Sequence, residues 1–167
     1  MDMFPVMKDD ITKYIKTTQQ MSRLKIQGDS NYRLGDTQIQ ILNLAMDTYL
    51  PRLMRRSIRT NPQLVHSILR VTQKKPGLIC FLPRRVGKST VFGHFCATVI
   101  SNYDNEKHQI FAMKVDQAAI VVDFATNLSK DKQGNLPPNY RSTQSELAVN
   151  HKEGVSFVKA NTSGDVS

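Results

Sequence analysis

The chain has 167 residues, which is long enough for one domain with a buried core. Its hydrophobic fraction of 40% suits a globular protein, and no stretch approaches the roughly 18 apolar residues that a membrane helix needs. The first ten residues contain acidic side chains and no apolar core, so they do not predict a secretory signal peptide. These properties exclude a membrane-spanning protein and a small secreted disulfide scaffold.

Charge is unevenly distributed along the chain. The formal net charge is +9, and no acidic residue occurs between Asp47 and Asp104. That interval contains ten basic residues: Arg52, Arg55, Arg56, Arg59, Arg70, Lys74, Lys75, Arg84, Arg85 and Lys88. An acid-free basic block predicts an anionic partner, either a polyphosphate or a nucleic acid. For Arg52 to Arg59, a solvated helix face explains the charges equally well.

The two cysteines predict free thiols. Cys80 and Cys96 both lie in apolar surroundings, one in a predicted strand and one in a predicted helix. Such positions favour buried thiols in a reducing compartment over a disulfide framework.

The first predicted segment, residues 1–35, is an N-terminal extension to which no chemistry is assigned. Within it, Asp9 to Lys16 predicts a short helix, and Gln27 to Asn31 predicts a loop. A longer helix is expected from Asp36 or Thr37 to Leu50, because Pro51 disfavours helical geometry in the residue before it. Its inward face is predicted to contain Ile39, Leu42, Met46 and Tyr49.

Residues 36–167 predict an α/β domain with a parallel sheet flanked by helices and a late β-hairpin. The expected elements, in order, are a helix from Asn61 to Thr72, a turn at Lys74 to Gly77, a buried strand from Leu78 to Leu82, a helix from Lys88 to Ser101, a strand from Gln109 to Met113, a helix capped by Asp116 and reaching Leu128, and a hairpin of Glu146–Asn150 with Gly154–Lys159. A strand, a helix and a second strand in this order predict two parallel strands.

Between the predicted strand and the helix at Lys88 lies a motif that carries chemistry. Gly87-Lys88-Ser89 is the central part of a phosphate-binding loop. The glycine lets the backbone approach a polyphosphate, and a helix N-terminus offers N–H groups and a partial positive charge. Lys88 would contact the β- and γ-phosphates, and the Ser89 hydroxyl would bind Mg²⁺. The usual glycine five residues before Gly87 is replaced by Leu82.

The full loop resembles that of a known family. Leu82-Pro83-Arg84-Arg85-Val86-Gly87-Lys88-Ser89 is similar to the deviant Walker A loop of viral terminase large subunits, the ATPases that package DNA into capsids. It is most similar to the herpesvirus-type branch. The resemblance covers about residues 34–167 in the order of elements, but only the loop, residues 81–90, is specific.

This resemblance implies a set of functional residues and partners. The nucleotide would be held by Pro83, Arg84, Arg85, Val86, Gly87, Lys88, Ser89 and Thr90. Ser89 would bind Mg²⁺, and Arg84 would act catalytically on the γ-phosphate of ATP. Gln38 is similar to a glutamine that contacts adenine in this family. A glutamine amide offers both a donor and an acceptor, and these can pair with the edge of an adenine. The implied partners are double-stranded viral DNA, other terminase subunits and the capsid portal, in a homo-oligomeric ring without membrane contact. The implied localisation is the host nucleus.

Hydrolysis also needs carboxylates that hold Mg²⁺ and activate water. The family takes them from an apolar strand that ends in Asp-Glu, and no Asp-Glu dipeptide occurs in this chain. Asp123 ends an apolar run, but Phe124 follows it, and a helix explains the run better than a strand. We therefore expect a partial ATPase domain, incomplete at its C-terminus and lacking the nuclease domain. Such a fragment would hydrolyse ATP poorly.

Two other functions remain open from the sequence. One is a different P-loop ATPase of helicase or small-kinase type, although Pro83-Arg84-Arg85 is unusual in such loops. The other is a basic nucleic-acid-binding module with no nucleotide site. His94 has no second ligand-type residue at metal spacing, so a packing or surface histidine is expected there.

Overall fold

The computed structural model describes residues 16–17, 34–53, 77–162 and 164. The predicted loop at residues 27–31, the basic segment at 52–59 beyond Leu53, the helix at 61–72 and most of the helix at 9–16 lie outside these residues. The chain forms two compact units, Met1–Val86 and Gly87–Ser167, which are described separately below.

In the first unit, helix α1 spans Asp36–Leu53. It begins where the sequence predicted, with Ile39 donating its N–H to the carbonyl of Gly35 at 3.0 Å. Leu42 and Met46 are buried as expected, together with Ile41 and Ala45. The predicted end at Leu50 is wrong, because α1 continues through Pro51. A proline near a helix end removes only one backbone hydrogen bond, so the last turn can still form.

The apolar run before the motif is not a strand. Residues 77–83 have no regular secondary structure, and Ile79 and Phe81 are 82% and 96% exposed. The predicted buried strand at Leu78 to Leu82 is therefore wrong in this structure. An apolar run becomes a strand only when a neighbouring strand accepts its backbone hydrogen bonds, and none of the described strands pairs with it.

The second unit contains two helices and a sheet of four strands. These are α2 (Lys88–Asn102), β1 (Lys107–Ala112), α3 (Val115–Ser129), β2 (Tyr140–Ser142), β3 (Glu146–His151) and β4 (Gly154–Thr162). The predicted helices that begin near Lys88 and Asp116, the strand near residue 109 and the late hairpin are thus confirmed. Asp116 was predicted to cap α3, but Lys114 is the N-cap residue and Asp116 lies in the first turn. The short strand β2 was not predicted.

The strand order in the sheet is β1-β4-β3-β2. Only β1 and β4 are parallel; β3 is antiparallel to both β4 and β2. The class is therefore α/β as expected, but the predicted parallel sheet is wrong: this sheet is mixed and mostly antiparallel. The reason is the tight turn after His151, which can join only antiparallel strands, whereas parallel strands need a long crossover.

Both helices pack on one face of the sheet. His151 of β3 approaches the carbonyl of Ile100 through Nε2 at 2.7 Å. His108 of β1 meets the Phe95 ring edge-to-face, with the ring centroids 6.4 Å apart. Strand residues whose side chains point toward this face form the core together with the helices. The fully buried residues of this core include Leu147, Val149 and Val158 from the strands and Val91, Val99, Ile100 and Val122 from the helices. The opposite face of the sheet is solvent-exposed at most positions.

Helices α2 and α3 touch closely at Gly93. A β-carbon at this position would lie 2.6 Å from Cβ of Phe124 and 3.1 Å from the carbonyl oxygen of Val121. The glycine therefore lets the two helices approach more closely than any other residue would. Among the described helices, none is both long enough and apolar enough to cross a membrane.

Candidate phosphate-binding site

The backbone before α2 has an alternating conformation. Arg85 has φ of 67° and Gly87 has φ of 75° with ψ of 31°, so both lie in the left-handed region. Val86, between them, is not among the residues with positive φ, and Lys88 begins the right-handed helix. A left-handed residue followed by a right-handed one, as at Gly87 and Lys88, turns successive N–H groups toward one concave side and is the pattern of a backbone anion nest. A positive φ is costly for arginine, and strained backbone of this kind concentrates at functional sites.

The start of α2 is suited to an anion. Gly87 is the N-cap and has no side chain with which to cap the helix. The first intrahelical hydrogen bond runs from the N–H of Val91 to the carbonyl of Gly87 at 3.2 Å. The amides of Ser89 and Thr90 come before it and have no carbonyl acceptor within the helix. The first turn contains no acidic residue, so the positive end of the helix dipole is not offset there.

Side chains at the loop are accessible to a ligand. Pro83, Arg84 and Arg85 are exposed, whereas Lys88 and Ser89 are half-buried at the helix start. The boundary between the two compact units falls between Val86 and Gly87. The arginines therefore belong to the first unit, and the lysine and serine belong to the second.

The formal net positive charge of the chain comes from residues 1–86. Residues 1–86 contain 15 of the 23 Lys and Arg residues and 6 of the 14 Asp and Glu residues, a difference of +9. Residues 87–167 contain 8 of each and have no formal net charge.

Gln38 has a local role in α1. Its Oε1 accepts a hydrogen bond from the N–H of Gly35 at 2.8 Å. This is one half of a capping box, in which the third helical residue satisfies the N–H of the N-cap residue. An adenine contact through the same oxygen would have to replace this hydrogen bond.

Asp123 is an exposed residue within α3, so the structure gives it a helical position and not the end of a strand.

His94 is buried in α2, and neither of its ring nitrogens has a hydrogen-bond partner in the described part of the chain. Burial lowers the pKa of His94 below its usual value. Within the described residues, no group of three or more His, Cys, Asp and Glu side chains is arranged to hold a metal.

Two structural features that bear on function were not predicted from the sequence. The positive φ of Arg85 cannot be deduced from an arginine in a sequence, because the left-handed region favours glycine. The exposed sheet face was also missed, although its alternation of polar and aromatic residues in β1 and β4 is visible in the sequence.

Searches against family models, curated proteins and solved structures found no match for this chain.

Proposed function

We propose that the chain binds ATP with Mg²⁺ at residues 83–90 and is the ATP-binding part of a viral DNA-packaging motor of the terminase large-subunit type. The observation that carries the nucleotide proposal is the start of α2. There, Gly-Lys-Ser begins with the left-handed residue Gly87 and follows the left-handed residue Arg85 by two positions, and the helix N-terminus has neither a side-chain cap nor an acidic first turn.

Each residue of the loop has a role in this proposal. The backbone of residues 85–89 surrounds the phosphates, and Lys88 neutralises charge on the β- and γ-phosphates. Ser89 would supply a hydroxyl ligand to Mg²⁺, and the ion would offset the charge of the phosphates. Arg84 is exposed and would contribute a guanidinium to the γ-phosphate, where it would stabilise the charge of the transition state.

The terminase proposal rests on fewer residues. It depends on Pro83-Arg84-Arg85 in place of the usual glycine-rich half of the loop, and the resemblance is specific only there. Coupling to double-stranded DNA, the portal and a ring of subunits is proposed for the protein that contains this chain. The basic charge of residues 1–86 suits a DNA partner but also suits the alternative of a nucleic-acid-binding module without a nucleotide site.

Calorimetric titration with a non-hydrolysable ATP analogue and Mg²⁺ tests the nucleotide proposal. Lys88→Ala should weaken binding roughly 10- to 100-fold, the effect of a lost charged hydrogen bond. Lys114→Ala is the matched control, because Lys114 is an exposed lysine directly before helix α3. Equal affinities for the two variants, or binding of duplex DNA but no nucleotide, would reject the ATP site and favour the basic-module alternative.

A further inference from the structure

The face of the sheet opposite the helices carries aromatic and basic side chains. Strand register assigns Lys107, Gln109 and Phe111 of β1 to this face, because His108 and Ile110 point toward the helices. On β4 the same alternation gives Val155, Phe157, Lys159 and Asn161, and β3 and β2 add Glu146, Ala148, Asn150 and Arg141. Phe111 is 49% exposed, and Lys107, Gln109 and Lys159 are exposed as well.

One row of cross-strand neighbours contains both aromatic and basic side chains. Strand register pairs Lys107 with Phe157, Phe157 with Ala148, and Ala148 with Arg141. Phe157 thus has Lys107 as its neighbour on one side and, beyond the buried Ala148, Arg141 on the other. Phe111 lies two side-chain positions further along the same face of β1, at roughly 13 Å from Lys107 at the rise of a strand.

We propose that this open sheet face binds single-stranded nucleic acid, with bases stacking on Phe111 and Phe157 and phosphates contacting Lys107, Lys159 and Arg141. Aromatic side chains on an exposed sheet, flanked by basic residues, provide both contributions that single strands require. A duplex does not fit this role, because its bases are already stacked on each other.

Charge also favours a nucleic acid over a protein partner. The face has three cationic side chains against one carboxylate, Glu146, which lies 3.8 Å from Arg141 and is paired across the strands with Lys159. Centres of protein interfaces are depleted in lysine, whereas here Lys159 lies in the row between those of Phe157 and Phe111, and Lys107 lies beside Phe157. The proposal does not depend on the phosphate-binding loop.

The absence of tryptophan from the sequence allows a direct test. Phe111→Trp would introduce a single tryptophan on the proposed surface, and stacking of bases should quench its fluorescence when the full chain is titrated with an oligothymidylate or oligouridylate of about 15 nucleotides. The control is Ile120→Trp, because Ile120 is 46% exposed on α3, away from this face. Quenching of both tryptophans, or of neither, would overturn the proposal.

Affinity measurements separate stacking from charge. Phe111→Leu keeps an apolar side chain without a ring and should weaken binding of a labelled oligothymidylate roughly 5- to 150-fold. Lys159→Gln should lower the slope of log affinity against log salt by about 0.7, whereas Lys132→Gln, in an exposed loop, should leave it unchanged.

Three results would contradict the proposal: equal affinity for a duplex of the same sequence, no loss of affinity in Phe111→Leu, or a Phe111→Trp emission that responds to protein concentration and not to oligonucleotide. The last result would indicate that copies of the chain cover this face. Lys88→Ala should bind the oligonucleotide as the unmodified chain does, so failure of the ATP proposal can be recognised separately.

Discussion

The hydroxyl of Ser156 donates a hydrogen bond to the carbonyl oxygen of Tyr103 at 2.5 Å. The same hydroxyl accepts a hydrogen bond from the N–H of Glu106 at 3.0 Å, and Ser156 is fully buried. One side chain of β4 thus satisfies two backbone groups of the segment that joins α2 to β1. This segment sets where β1 begins, and therefore which of its residues face the helices and which face solvent.

Ser156→Ala should lower the free energy of unfolding by about 2 kcal/mol, because it leaves buried backbone groups without this partner. Urea unfolding monitored by circular dichroism measures the change. Ser142→Ala is the control, since Ser142 is exposed and its hydroxyl makes long contacts, at 3.5 Å with the hydroxyl of Thr126 and at 3.4 Å with the carbonyl of Thr143. Equal effects of the two substitutions would show that the Ser156 hydroxyl does not hold the connection.

Gly93→Ala should destabilise the second unit by about 1 to 3 kcal/mol, although alanine is the better helix former. The added methyl group would lie 2.6 Å from Cβ of Phe124, so helices α2 and α3 would have to separate. Gly77→Ala is expected to have little effect, because no atom lies within 4 Å of its β-carbon position. The urea midpoints of both variants give the comparison. A stable Gly93→Ala protein would contradict the close helix contact.

Arg85→Gly should stabilise the protein by about 1 kcal/mol, because glycine adopts a φ of 67° without the steric cost that arginine incurs. Arg84→Gly is the matched variant: Arg84 does not have a positive φ, so glycine there only adds freedom to the unfolded chain. We expect opposite signs for the two changes in chemical unfolding. The same sign for both would argue against the left-handed conformation of Arg85.

The stability of the protein should fall as the pH decreases below about 6.5. Burial lowers the pKa of His108 to about 4 and also lowers the pKa of His94, so both rings are neutral in the folded protein at neutral pH. The unfolded chain binds these protons more readily. For each histidine, the free energy of unfolding therefore decreases as the pH falls from the unfolded pKa to the folded pKa. The slope of this decrease is up to about 1.4 kcal/mol per pH unit.

His108→Gln removes one of these titrations. Its unfolding free energy should decrease less than that of the unmodified protein between about pH 7.5 and about pH 5. His151→Gln provides the comparison for loss of a histidine elsewhere in the sheet. Parallel pH profiles for His108→Gln and the unmodified protein would contradict the lowered pKa.

The two cysteines should differ in reactivity. Burial raises the pKa of the Cys96 thiol to about 12, whereas Cys80 is only half-buried. Iodoacetamide at about pH 8 should therefore label Cys80 and spare Cys96 in the folded chain, since the thiolate is the reacting form. Peptide mass spectrometry identifies the labelled residue, and denaturation in urea should expose both. Rapid labelling of Cys96 without urea would show that α2 is not packed as described.

Local patterns were sufficient for several elements. The periodicity of residues 88–101 and the apolar run near Val121 predicted α2 and α3, because an amphipathic or buried helix is encoded in residues close in sequence. The alternation on both sides of residues 151–154 likewise predicted the hairpin. The Gly-Lys-Ser motif placed a candidate phosphate site at the start of a helix, and a helix does begin at Lys88.

Tertiary structure decided the rest. Whether Leu78 to Leu82 forms a strand depends on a partner elsewhere in the chain, and so does the pairing of β4 with β1 across more than forty residues. Strand order and direction are not written in any local pattern, which is why a parallel sheet was expected and a mixed one formed. The sequence by itself determined the helices, the hairpin and the phosphate motif, since these depend on neighbouring residues. Only the packing of distant segments determined the sheet and the face to which Phe111 and Phe157 belong, because strand pairing joins residues that are far apart in sequence.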